Sequence, residues 1–114
     1  RVRSADLSVI SQTRPSVKSR AFSEDTANKL TQMMEAVVTK ESTNLAIDGV
    51  KVAAKTGTAQ IGENNSSIDG WVIGFAPADD PKIAVAVVVH NVDVYGSYAA
   101  GPIMKAMMQE ALAE

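Results

Sequence analysis

The chain predicts an α+β domain in which three consecutive strands form an antiparallel sheet covered by helices. Helical patterns at residues 23–40 and 98–113 flank three β runs within residues 50–91. The links between those runs are too short for a crossover helix, so neighbouring strands must run antiparallel. The third run is apolar at all seven positions from 83 to 89. An unbroken run of this kind reads as a strand buried on both faces, so cover on both sides of the sheet is expected.

Residues 1–22 are polar and mixed, an irregular lead-in broken near Thr13-Arg14-Pro15-Ser16. Leu7, Val9 and Ile10 offer a short extended piece, and Pro15 holds the residue before it away from helical angles. Ser23 is a suitable N-cap, followed by Glu24 and Asp25 at the positive end of the helix dipole. Ala27, Leu30, Met34 and Val37 or Val38 then recur at helical spacing, a stripe that reads as core.

Asp48-Gly49 signals a turn before the first strand, residues 50–61. A polar loop over residues 62–67 precedes the second strand, residues 70–76. Pro77 and Pro81 bracket a tight turn containing Asp79 and Asp80, and the third strand covers residues 82–91. After a loop, the last helix spans residues 98–113, with Pro102 tolerated in its first turn. Met104, Met107, Met108, Ala111 and Leu112 form its expected sheet-facing side. Three strands under one such helix do not close, so further strands are expected outside this chain.

The first strand departs from packing logic at Lys55-Thr56-Gly57-Thr58-Ala59-Gln60, where a cation, a glycine and two hydroxyls stand in an apolar-rich run. A glycine in a strand lets another backbone approach closely, and an extended peptide can add to a sheet edge through main-chain hydrogen bonds. Lys55, Thr56 and Thr58 offer a positive charge and hydroxyls to a carboxylate or an acyl oxygen. Alternation places Lys55 and Gly57 on one face and Thr56 and Thr58 on the other, so all can serve one ligand only at an edge. Trp71 and Phe75 share a face and read as packing behind the site. Tyr95 and Tyr98 flank Gly96 after the third strand, His90 reads as an ordinary polar strand end, and Asp79-Asp80 as an exposed turn.

Composition narrows the alternatives. Of 114 residues, 46% are hydrophobic and 21% charged, as in an ordinary globular domain. A net charge of −2 gives no basic field for nucleic acid; the absence of cysteine excludes a disulfide framework and a thiolate metal site, and the single His90 cannot build a metal site alone. The longest apolar run is far shorter than the ~20 residues of a membrane-spanning helix.

Lys55-Thr56-Gly57-Thr58-Ala59-Gln60, then Trp71-Val72-Ile73-Gly74-Phe75-Ala76-Pro77, the run from Pro81 to Val89, and Ala99-Ala100-Gly101-Pro102-Ile103-Met104 together resemble the end of a penicillin-binding protein transpeptidase domain. The likeness covers about residues 20–112 and is nearest to the monofunctional, class B type of actinobacteria. Ala54 stands where the family usually has glycine.

The resemblance implies a β-lactamase and penicillin-binding transpeptidase-like fold, with residues 1–114 the C-terminal part of one transpeptidase domain. A start at Arg1 rather than methionine suits an internal segment. In the family the lysine, here Lys55, hydrogen-bonds a hydroxyl of a second motif and raises the positive potential. Thr56, Gly57 and Thr58 would bind the substrate carboxylate, and the Thr58 amide would supply half of an oxyanion hole.

The family's nucleophile sits in a Ser-x-x-Lys motif, and no serine here has lysine three residues on. Ser42-Thr43-Asn44 fits the family's Ser-x-Asn pattern but lies too near Lys55 to be its counterpart. The implied partners are therefore the N-terminal portion of the same domain, carrying both motifs, together with peptidoglycan stem peptides and β-lactam antibiotics. The implied reaction is serine acyl transfer on D-alanyl-D-alanine, needing no metal or cofactor, at the extracytoplasmic face of the membrane and with an anchor outside this chain. Two alternatives stand beside it: a serine β-lactamase, or a non-catalytic peptide-binding module of the same fold.

Overall fold

The computed structural model describes residues 1–14 and 16–113; the expectation for Pro15 lies outside them. The lead-in carries a small hairpin in which β1 (Val2–Arg3) pairs antiparallel with β2 (Val9–Ser11). Its turn is tied by Asp6, whose carboxylate accepts from the Ser8 amide at 3.0 Å and from the Ser4 hydroxyl. These bonds, Ser4's first, lower the Asp6 pKa from 3.8 to about 2.

Helix α1 (Glu24–Ala36) begins where the cap was expected: the Ser23 hydroxyl accepts from the Thr26 amide at 3.2 Å. Such a cap contributes about 1 kcal/mol. The helix then widens into a π-helical turn, Val37–Glu41, and a 3₁₀ turn, Thr43–Leu45. The expected core stripe is only half realised. Val37 and Val38 are buried, whereas Leu30 is exposed and no residue of α1 itself is fully buried. Burial begins only where the chain turns down onto the sheet.

The central sheet runs in the order β3 (Ala53–Ile61), β4 (Ser67–Ala76), β5 (Ile83–Val92), each pair antiparallel. β3 starts three residues later than expected because Val50 instead bridges back to Ile47 around Gly49, which takes φ +75°. β4 starts three residues earlier, at Ser67, because the polar loop tightens into the 3₁₀ turn Glu63–Asn65. The β4–β5 turn opens on a cis Ala76–Pro77 bond and closes with the Lys82 amide donating to the Ala76 carbonyl at 3.0 Å.

The expected final helix is two pieces, α2 (Gly96–Ala99) and α3 (Gly101–Ala113). Met104 and Met108 of α3 are fully buried against Ala54, Val72, Ala76 and Val85. Full burial of each such side chain is worth about 1.5–3 kcal/mol. Met107 and Ala111, expected on that side, are exposed, because i and i+4 positions alone meet the sheet. Leu45, Ile47 and Val52 extend the same core under the end of α1.

β5 is not buried on both faces. Val85, Val87 and Val89 turn inward while Ala84, Ala86 and Val88 stay exposed. α3 supplies one apolar layer, and on the opposite face α1 lies mainly over β3. Trp71, Ile73 and Val88 therefore remain 41–48% exposed on that face.

Candidate active site

β3 pairs with β4 alone, so along its other margin no described strand takes up its backbone groups. The edge demanded by the alternation of Lys55, Thr56, Gly57 and Thr58 is present. In register, Lys55 lies opposite Ile73, Thr56 opposite Val72, Gly57 opposite Trp71, and Thr58 opposite Gly70. Lys55 and Gly57 thus share the exposed face with Trp71 and Ile73, while Thr56 and Thr58 share the face that α2 and α3 cover. Side chains from both faces border a single open margin.

Lys55 is exposed, and its ammonium donates to the Thr56 carbonyl of its own strand at 2.7 Å. Lys29, Lys51 and Lys82 each hold an aspartate, at 2.7, 3.3 and 2.6 Å. Lys55 has no such carboxylate among the described residues. It stands instead at the rim of a mostly apolar groove of about 640 Å³ lined by Leu30, Met33, Met34, Ala36, Val37 and Ile73, with Glu41 also on its wall. The α1 stripe that reads as core in sequence is thus a groove wall beside the lysine.

Thr58 is held differently. Its hydroxyl oxygen accepts a hydrogen bond from the Gly96 amide at 3.3 Å, across the covered face. Sequence reasoning marked Tyr95 and Tyr98 around Gly96 but missed the glycine itself; an unexplained glycine between two aromatic residues was the available signal. Both tyrosines remain exposed. Trp71 does not pack behind the site: it is 41% exposed on the face of Lys55.

His90 is also more than a strand end. Its Nδ1 lies 2.7 Å from an Asp69 carboxylate oxygen that also accepts from the Asn91 amide at 3.1 Å. Asp69 thereby closes the bulge where β5 carries one extra residue opposite β4. Asn44 of Ser42-Thr43-Asn44 donates to the Ser97 carbonyl at 2.7 Å, a structural tether between its turn and α2. Asp79 and Asp80 lie in an exposed turn. Asp79 is held below the usual carboxylate range by its own backbone amide and by Lys51. Among the described residues no three His, Cys, Asp or Glu side chains gather as a metal site.

Comparison with known proteins places this edge in context. The family model of the penicillin binding protein transpeptidase domain matches residues 2–109. The chain belongs to the penicillin-binding protein transpeptidase family. Peptidoglycan D,D-transpeptidase PbpA of Mycolicibacterium smegmatis is 42% identical over 115 residues, covering 96% of this chain and 23% of the relative. Stage V sporulation protein D of Bacillus subtilis is 36% identical over 110 residues, covering 88% of this chain and 17% of that protein.

Among solved structures, penicillin-binding protein A from M. tuberculosis, as a ceftriaxone acyl-enzyme complex, superimposes with a TM-score of 0.81 at 38% identity. That match covers 96% of this chain and 26% of the other. The α+β arrangement is thus the transpeptidase family's own, and this chain is part of such a domain, spanning between 17% and 26% of these relatives. The mycobacterial PbpA relatives are named peptidoglycan D,D-transpeptidases.

Proposed function

We propose that this segment supplies the Lys-Thr-Gly margin of a serine-type peptidoglycan D,D-transpeptidase, as the C-terminal part of one catalytic domain. The observation that carries the reading is Lys55, an ammonium with no carboxylate partner among the described residues, on a strand whose outer margin no described strand takes up. The stem peptide docks along β3 as an added strand, its terminal carboxylate held by Lys55, Thr56 and Thr58. Gly57 keeps the margin free of bulk, and the Thr58 amide donates to the developing oxyanion.

The nucleophile is a serine from the portion of the domain bearing Ser-x-x-Lys. Its oxygen bonds to the carbonyl carbon of the D-alanyl-D-alanine link, the C–N bond breaks, and D-alanine leaves with a proton. The amine of a second stem peptide then displaces the serine, which recovers its proton, and the cross-link is made. β-Lactams acylate the same serine. The remaining portion of the domain covers Trp71, Ile73 and Val88, the apolar surface left open here. The complete enzyme works on the outer side of the cytoplasmic membrane, held there by an anchor as the family's cell-wall transpeptidases generally are; no helix of the described residues is long and apolar enough to cross a bilayer.

Acylation of the complete domain by a labelled penicillin tests the reading. Lys55→Ala is expected to slow acylation about a hundredfold, the scale of removing one preorganised electrostatic contact. The melting temperature should stay within a few degrees, since the side chain is exposed. Unchanged acylation would refute the assignment, and rapid nitrocefin turnover by the unaltered domain would favour a β-lactamase.

A further inference from the structure

Thr58 and Gly96 are separated by 38 positions, yet the covered face brings them into hydrogen-bond contact. The contact depends on two glycines from different elements. A Cβ on Gly96 would overlap the Gly57 carbonyl oxygen and lie 2.5 Å from the Trp71 carbonyl oxygen and 2.8 Å from the Trp71 amide nitrogen. A Cβ on Gly70, the residue directly opposite Thr58, would lie 2.9 Å from the Ala99 Cβ and 3.2 Å from the Gly96 Cα. Only with both side chains missing can α2 lie directly on the strand backbone. α2 is fixed from its other side as well: Asn44 donates to the Ser97 carbonyl at 2.7 Å, and Ser97 and Ala100 are buried.

A threonine oxygen that accepts an N–H keeps its own proton for donation elsewhere. With the Gly96 amide on one side of that oxygen, the hydroxyl proton is left free to point away from α2, and the margin of β3 that no described strand pairs with is open to it. We infer that Gly96 is a positioning residue: its backbone amide holds the Thr58 hydroxyl as a donor aimed at the anionic end of the acyl donor. The inference rests on the proposed transpeptidase reading, in which Thr58 meets the substrate carboxylate. It assigns to α2, remote in sequence from Lys55-Thr56-Gly57-Thr58, control over the polarity of one of that motif's hydroxyls.

A double-mutant cycle on the complete domain tests this, with penicillin acylation rate and melting temperature both recorded. Thr58→Val removes the acceptor, and Gly96→Ala lifts α2 from the sheet. Gly96→Ala alone is expected to slow acylation about tenfold or more, the scale of one hydrogen bond to a charged group. In the Thr58→Val background the same change should cost less than about twofold, the margin within which independent sites add. Thr58→Ser, which keeps the acceptor oxygen, should retain the sensitivity to Gly96→Ala.

Equal losses in both backgrounds would overturn the inference and leave Gly96 a packing residue only. No effect of Thr58→Val on acylation would instead sink the site reading itself. Should Gly96→Ala fail to fold, Gly70→Ala, whose nearest overlap is with the Ala99 methyl, replaces it in the cycle: a loss confined to the Thr58 background supports the inference, and equal losses overturn it.

Discussion

Gly57 and Trp71 face each other across the β3–β4 ladder, and a Cβ on Gly57 would stand 3.3 Å from that of Trp71. The exposed indole is therefore the wall directly beside the gap in side chains. Position 57 has room for at most a methyl group, and only if Trp71 gives way by a few tenths of an ångström.

Gly57→Val should accordingly harm both stability and chemistry. Its branched Cβ would force Trp71 aside at about 1–3 kcal/mol, the usual range for overpacking. Displacement of the neighbouring Lys55 and Thr58 should slow acylation about ten- to a hundredfold. Denaturant melts and penicillin acylation of the complete domain check both. A variant that acylates normally would show that the gap beside Trp71 is not needed.

Met107 and Met108 are adjacent, but only Met108 reaches the sheet. Met108→Ala should cost about 2–5 kcal/mol, as for other large-to-small core changes. Met107→Ala should fall within about 0.5 kcal/mol of the parent. Chemical denaturation of the two variants separates them, and similar losses would contradict the register of α3.

The lead-in hairpin carries a pH signature. Asp6 has its folded pKa depressed to about 2, so its bonds to Ser4 and Ser8 stabilise the turn above the ordinary value of 3.8 and are lost as pH falls through about 2. An NMR titration of the Ser8 amide should show its midpoint near the lower value. A midpoint at 3.8 would mean that the turn is not formed in solution.

The 114 residues taken alone should form no covalent adduct with a labelled penicillin, because they contain no Ser-x-x-Lys. Intact-mass spectrometry showing an adduct would refute assignment of the nucleophile to another part of the domain.

The strand that carries Lys55, Thr56, Gly57 and Thr58 was legible in sequence, and so was the antiparallel sheet it belongs to. Ser23, the two prolines of the β4–β5 turn and the polar loop before β4 each carry a local backbone preference, and local preferences survive into the fold. The misjudged positions are those that depend on what lies opposite. The seven apolar residues of β5 satisfy a burial rule on both faces, but α3 offers cover to one. Met107 fits an apolar helix side as well as Met108 does, and only the crossing of α3 over β4 and β5 separates them. Trp71 shows the same dependence: its strand parity was plain, but parity does not say which face is open. The Gly96–Thr58 bond joins elements far apart in sequence, so no local pattern announces it. The two glycines were visible, and their pairing belongs to the tertiary structure.

The open margin of β3 has a consequence for handling the segment by itself. A flat strand with unsatisfied amides and carbonyls recruits any extended chain, including its own counterpart on a neighbouring molecule. Lys55 opposes such self-association in part, since two copies joining there in antiparallel register would bring like charges close together. Raising the ionic strength should weaken that safeguard, so preparations of the segment will stay monodisperse best in dilute salt.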